Sequence, residues 1–287
     1  MKKKKIILTP YYFLLPSLLI FSMFVFYPFF KTVAYSFTLT NARGIPVEFV
    51  GLDNYIGLFT SKNFINSLLL TLKFAPMVGI PTVILGFILA VLASNRSKGR
   101  RFYEVAFALP MAVASAPAAA LWVMLLSPNQ NGIINYLLNT EIAWLFDKQY
   151  ALIAVAFVTI WMNIGVSFIF LLTGLKNVPE ELLESATIDG AGYFTKLFRI
   201  SVPVASPQIF FVIFFNIATS FQAFAQIRLL TEGGPSYSTN VLVYSIYQSA
   251  LRDGRFETAF AQSIILFIII LCITLIQFKF EDRTVQY

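Results

Sequence analysis

The chain has 287 residues, 58% of them apolar and only 12% charged, with a formal net charge of +7 and no histidine. Soluble domains carry about 25% charged residues, so half that density points to lipid as the solvent for much of the chain. The positive residues lie in short clusters between apolar runs, the pattern of membrane topology and not of a phosphate-binding face, and a single Cys272 with no histidine excludes a disulfide framework or a His/Cys metal site.

A span needs about 20 apolar residues to cross about 30 Å of hydrocarbon. Six segments reach that length, approximately Tyr12–Ala34, Phe74–Ser94, Val105–Leu126, Tyr150–Leu175, Val202–Ala225 and Thr258–Gln277. Lys2 to Lys5 followed by the uncharged run Ile6 to Phe30 has the charge order of a secretory signal. That run is far longer than the roughly 7–15 residues of a signal core, so it is expected to be an uncleaved first span. An even number of spans puts both ends on one side. Of the 21 Lys and Arg, 13 fall on the side of the termini and 8 on the other, which predicts that both termini are cytoplasmic.

The first outer segment, Ser36 to Asn66, holds GLDNY at Gly51 to Tyr55 and is too polar to span. Pro76 and Pro81 near the second span, and Pro110 and Pro117 in the third, remove backbone donors, which lipid tolerates only where neighbours or water satisfy the freed carbonyls. The small residues Ala112, Ala114, Ser115, Ala116 and Ala118 to Ala120 give the third span a surface that another helix can approach closely. In the second outer segment, Ser127 to Gln149, the turn signal Asn131-Gly132 precedes a short helix from Ile133 to Leu138, expected to lie on the membrane surface. Trp144 and Tyr150 suit an interfacial aromatic belt. The third outer segment, Gln226 to Glu257, carries LLTEGGP at Leu229 to Pro235, whose glycines permit a tight turn.

Mid-span polar groups mark a cavity or a helix contact. Trp161, Asn163 and Ser167 interrupt the fourth span; Asn216, Thr219, Ser220 and Gln222 interrupt the fifth. Asn216, Thr219, Ser220 and Ala223 recur at the spacing of one helical face. Amides and hydroxyls there suit the OH groups of a sugar, and they equally suit hydrogen bonds from helix to helix. Neither span carries a charged residue at its centre, which argues against an ionic solute and a proton relay.

Between these two spans lies a polar island, Pro179 to Pro207, with Glu180, Glu181, Glu184, Asp189, Lys196 and Arg199. Pro179 and the acidic residues after it predict a helix from Glu180 to Ile188. Asp189 and Gly190 end it, and Asp189 is expected to cap a second helix from Ala191.

Glu184-Ser185-Ala186, Asp189-Gly190-Ala191, Phe198, Ile200, Pro203 and Pro207 resemble the EAA loop of the membrane-spanning subunits of ABC importers, more narrowly the carbohydrate-uptake permeases of the maltose-transporter type. Ser185 replaces the usual first Ala, and Val202 the usual Leu. The GLDNY and LLTEGGP runs are similar to runs of the same family. The resemblance implies an all-α polytopic fold of six transmembrane helices, a single transmembrane domain over residues 1–287 with its coupling loop at about 179–207. It implies that Glu184, Ser185, Ala186, Asp189, Gly190, Ala191 and Phe198 couple to a cytosolic ATPase, with Leu182, Leu183, Ile188, Phe194 and Leu197 as further apolar anchors. It also implies that Met162, Asn163, Val166, Asn216, Thr219, Ser220 and Ala223 stand at sugar-contacting positions. Implied partners are a second, different and homologous permease chain, two ATP-binding cassette subunits and an extracytoplasmic solute-binding protein in a bacterial inner membrane. No nucleic acid is among them.

The chain has no GxxxxGK[ST] phosphate loop and no catalytic triad, so it is expected to be a transport subunit, not an enzyme, holding no cofactor itself while ATP and Mg bind partner chains. A secondary transporter would need intramembrane carboxylates or inverted repeats, neither of which is clear. An ABC permease for a non-sugar solute remains the nearest alternative.

Overall fold

A computed structural model describes residues 9–94 and 100–284. The Lys2–Lys5 cluster, Arg96 and Lys98, on which part of the charge asymmetry rests, lie outside the described residues. Among those described, the helices Tyr12–Tyr35, Lys62–Ser94, Ala151–Lys176 and Phe256–Glu281 are long and apolar enough to cross a membrane. Two bent pairs, Arg101–Ala112 with Ser115–Leu125 and Tyr193–Val204 with Ser206–Ser220, bring the spans to six if each pair counts as one.

Three expected boundaries are corrected. The second span begins at Lys62, twelve residues before Phe74, and runs unbroken through Pro76 and Pro81; the polar start of this helix lowered its hydropathy without lowering its helicity. The third span is broken, bending by 100° where Val113 (φ −86°, ψ 123°) and Ala114 (φ −64°, ψ 152°) leave the helical region. The fifth bends by 72° between Val204 and Ser206. Pro207 sits in the first turn of the segment that follows the fifth-span bend, where a missing N–H costs nothing, whereas Pro110 and Pro203 lie in the short segments that precede the two breaks.

The chain divides into two compact units. In the first, the described residues up to Lys62 associate with Ile246–Phe267. The first span ends in a two-stranded antiparallel hairpin, Thr38–Thr40 with Pro46–Phe49, then a helix, Asp53–Thr60. The GLDNY run locks this arrangement. Gly51 takes φ +60°, Asn54 donates to the Ser36 and Thr38 carbonyls at 2.9 and 3.0 Å, and the Tyr55 and Ser36 hydroxyls meet at 2.7 Å. Thr40 bonds to Glu257 at 2.5 Å, Phe29 packs at a tilt against Phe267, and Tyr35 meets Phe260 edge-on.

The second unit comprises Asn63–Ser245 with Ile268 onward. The fourth span, Ala151–Lys176, is its hub. Ala151, Val155, Val158, Gly165, Ser167, Phe168 and Leu171 are buried along it, and glycines let neighbours close in: Gly165 faces Ala108 and Met111, and Gly174 faces Gln208 and Ala205.

Two loops of this unit, over residues 127–150 and 229–245, are packed structures. Asn135, fully buried, donates to the Ser127 and Ile142 carbonyls and accepts from Thr140 and from the Trp144 indole at 2.8 Å. The helix Ile133–Leu138 forms as expected, but the Trp144 N–H is committed inward to Asn135, where an aromatic-belt residue would offer it to the interface. The LLTEGGP run is likewise more than a turn. Gly233 takes φ +79° with its Cα against the Tyr244 ring, Thr239 bonds to the Thr231 hydroxyl and the Gly234 carbonyl, and Leu242 N–H reaches Thr71 of the second span at 2.7 Å.

Candidate functional site: a polar seam and a free-standing bent loop

The second, fourth and fifth spans meet along one seam. Asn216 Nδ2 donates to Ser167 Oγ at 2.8 Å and to the Val212 carbonyl at 2.8 Å. The second span approaches through two glycines one heptad apart. A methyl group at Gly86 would stand 2.9 Å from Ser167 Cβ and 3.3 Å from the Phe168 nitrogen, whereas one at Gly79 would meet Ser220 Oγ at 3.6 Å and the Asn216 carbonyl at 3.7 Å. Small residues at a membrane seam let backbones pack closely, and each interhelical hydrogen bond adds about 0.6 kcal/mol, rarely more than about 1.7.

This geometry divides the predicted solute contacts. Asn216 and Ser220 are 0% and 2% exposed and lie inside the seam; the Ser220 hydroxyl donates to the Asn216 carbonyl at 2.6 Å. Asn216 Oδ1 has no partner among the described residues. Ala223 does not continue their helical face, because the helix ends at Ser220 and Ala223 (ψ 64°) sits in the break before Phe224–Leu230. Met162, Asn163, Val166 and Thr219 are half-buried. Thr219 turns its hydroxyl back to the Phe215 carbonyl at 2.8 Å, and Met162 Sδ lies 3.7 Å from Gln226 Nε2. Thr219 and Asn216 therefore share a helix but not an environment.

Beyond the fourth span, Pro179 precedes the helix Glu180–Ile188, with Glu180 and Glu181 in its first turn. Its end is a Schellman closure: Ala191 N–H bonds to the Ala186 carbonyl at 2.8 Å and Gly190 N–H to the Thr187 carbonyl at 3.0 Å. Gly190 takes φ +80°, with nothing near its Cα. Asp189 closes the first helix and does not cap the next one, which starts at Tyr193 after Gly192, with no side-chain cap. Three residues, Gly190 to Gly192, separate Asp189 from the next helix. Lys196 Nζ reaches Thr187 Oγ1 at 3.1 Å and holds the two helices at their bend. Glu184, Ser185 and Phe198 are exposed and Ala186 and Ala191 half-buried. Four of the large apolar residues stand in the open, Leu182 44%, Ile188 86%, Phe194 71% and Phe198 57% exposed, whereas Leu183 and Leu197 are half-buried, Leu197 against the core of the bundle.

Sequence reasoning missed the two seam glycines and Asn135. Gly79 and Gly86 carried a signal, two small residues seven apart in an apolar run. Asn135 carried none beyond being polar in a short apolar helix.

Residues 82–286 match the family described as "Binding-protein-dependent transport system inner membrane component". The chain is 32% identical over 281 residues, 97% of its length and 95% of the relative's, to the sn-glycerol-3-phosphate transport system permease protein UgpA of Escherichia coli O157:H7. It superposes on a chain of a bacterial ABC transporter involved in the import of the acidic polysaccharide alginate with TM-score 0.85 and 24% identity, covering 97% of this chain and 96% of that one. A second structure of the bacterial alginate transporter, in complex with an alginate pentasaccharide-bound periplasmic protein, gives TM-score 0.84 and 23% identity over 96% and 94% of the two chains. These likenesses fix the fold as that of a type I ABC importer permease.

Proposed function

This chain belongs to the family of binding-protein-dependent transport system inner membrane components, and from that premise we propose that it forms half of the path by which a sugar enters the cell. The chain is a multi-pass permease subunit. In the proposed assembly it acts as one transmembrane domain over 1–287, beside a second, homologous permease chain. An extracytoplasmic binding protein delivers the solute, and two ATP-binding cassette chains hydrolyse ATP. Both termini, by the positive-inside reading, are cytoplasmic.

The observation that carries this reading is the exposure of Leu182, Ile188, Phe194 and Phe198 on a stiffly closed, polar-flanked loop. Outside lipid, such side chains call for a protein groove, and short helices with apolar anchors dock that way. Glu184, Ser185, Ala186, Asp189, Gly190 and Ala191 set the shape of the loop, and Phe198 anchors it. Nucleotide-driven motion of the ATPases reaches the fourth and fifth spans, between which the loop is strung.

The proposed solute face is Met162, Asn163, Val166 and Thr219, with Asn216, Ser220 and Ala223 behind it. Asn216 Oδ1 is the seam atom that a solute hydroxyl or a water would satisfy, since an unfilled buried acceptor costs about 1–3 kcal/mol. The face carries no charge, which suits an uncharged sugar. The likeness to a permease named for sn-glycerol-3-phosphate favours a second reading, a phosphorylated polyol. ATP-dependent uptake in proteoliposomes holding the whole transporter separates them. Uptake of neutral sugars, uninhibited by sn-glycerol-3-phosphate, supports the first reading; uptake of the anion alone overturns it.

A further inference from the structure

A cavity of about 220 Å³ lies where the start of the fourth span meets the loop of residues 127–150. Ile153, Ala154 and Phe157 of the fourth span form one wall, Leu126 of the third span another, and Ile134 and Trp144 the rest. Among these six side chains the one polar atom is Trp144 Nε1, and its proton already goes to Asn135 Oδ1 at 2.8 Å. Neighbouring rings back the walls: Trp122 meets Phe157 edge-on at 5.2 Å, and Tyr150 meets Trp144 edge-on at 5.6 Å.

The lining narrows the guest. An apolar cavity of about 150 Å³ stays dry and takes in benzene or xenon, so neither water nor a hydroxyl-rich solute belongs here. A helix, about 10–12 Å across with its side chains, is too thick to enter, and a volume below the roughly 300 Å³ of drug-sized pockets leaves a slender apolar chain. Filling the space returns the dispersion contacts that a void forfeits. Position shows where such a chain comes from. The fourth span has 26 residues and is about 39 Å long against about 30 Å of hydrocarbon, so Ile153 to Phe157, in its first two turns, lie where acyl chains begin. The cavity is open there, because Ile153 and Phe157 are each about half exposed, and the helix that carries Ile134 also exposes Ile133, Tyr136, Leu137 and Leu138. Apolar groups around the opening are what a surface against lipid presents.

We propose that this cavity is a binding site for one acyl chain of a membrane phospholipid, held beneath the loop of residues 127–150 and distinct from the ordinary lipid shell. The inference goes beyond the importer reading and is independent of which solute is carried. To test it, the whole transporter is placed in nanodiscs containing a phosphatidylethanolamine with a photoactivatable diazirine on one acyl chain. After irradiation, the adducts on this chain are mapped by mass spectrometry, with the exposed Leu18, Leu19 and Phe24 of the first span as the reference for ordinary lipid contact. Adducts at the lining residues are expected to saturate at a several-fold lower fraction of the diazirine lipid than those on the first span. Ala154→Leu fills the cavity from the fourth span and Leu126→Phe from the third; each is expected to cut the lining adducts several-fold and leave the first-span adducts unchanged, and a thermal midpoint in detergent shows that the variant is folded. Lining adducts missing from the unaltered chain, as a partner's side chain in the cavity would make them, overturn the proposal. So do lining adducts that rise in proportion to those on the first span, or that persist in a folded filled variant, as ordinary lipid contact would have them.

Discussion

Asn216 hands an amide proton to Ser167 across 2.8 Å, and this bond joins the two spans that flank the bent loop. With Asn216 at 0% exposure and Ser220 at 2%, there is no room at either position for a larger side chain. Overpacking of this kind costs about 1–3 kcal/mol. The double variant Asn216→Leu, Ser220→Leu should therefore lose thermal stability in detergent, read as an earlier loss of the monodisperse peak in size-exclusion chromatography after heating. A wild-type midpoint would contradict the packing described.

The two glycines of the seam separate under the same substitution. Gly79→Ala puts a methyl group 3.6 Å from its nearest neighbour, an ordinary contact, whereas Gly86→Ala puts one 2.9 Å from Ser167 Cβ. Gly79→Ala should be close to neutral, and Gly86→Ala should lower the thermal midpoint by displacing the second span from the fourth. Equal midpoints would mean that the approach at Gly86 is not the tighter one.

At Gly190 only backbone strain is at issue. A β-branched residue at φ +80° costs about 1–2 kcal/mol, and no neighbour lies within 4 Å to pass the strain on. Gly190→Val should fold with a near-normal thermal midpoint yet lose ATP-driven uptake, while Gly190→Asn, tolerant of that φ, should keep more of it. Normal uptake in the valine variant would remove the loop from the coupling role proposed for it.

Replacing Asn135 tests the loop of residues 127–150. Asn135→Ala strands the Trp144 indole N–H and the Ser127 and Ile142 carbonyls that it now serves, a loss of roughly 1–3 kcal/mol for each buried group left without a partner. Residues 127–150 should become the first site of limited proteolysis from that side of the membrane. An unchanged cleavage pattern would show the loop to be held by other contacts.

The four unbroken spans were readable because hydrocarbon thickness imposes one length on every crossing, and Leu, Ile, Val and Phe report it directly. Breaks were not readable, because Pro76 and Pro81 lie within a continuous helix while Pro207 opens a new segment after a bend; the residue is the same, and its neighbours decide. At the loop, Gly190 announced the bend through its freedom at positive φ, yet the role given to Asp189 belonged to the far side of the turn, since a closure at one helix end and a cap at the next use the same residue types. For the candidate solute face, periodicity grouped Asn216 with Thr219. It could not tell the inside of a seam from its edge, because both are polar interruptions of one apolar helix.

The 33-residue helix Lys62–Ser94 measures about 50 Å at 1.5 Å per residue, well beyond the hydrocarbon it crosses. Its surplus turns are pinned by Asn66 to the Tyr237 carbonyl and by Thr71 to the Leu242 N–H, while Gly86, further along, is wedged against Ser167. A single continuous helix thus ties the fold of residues 231–245 to the contact at Ser167 in the seam.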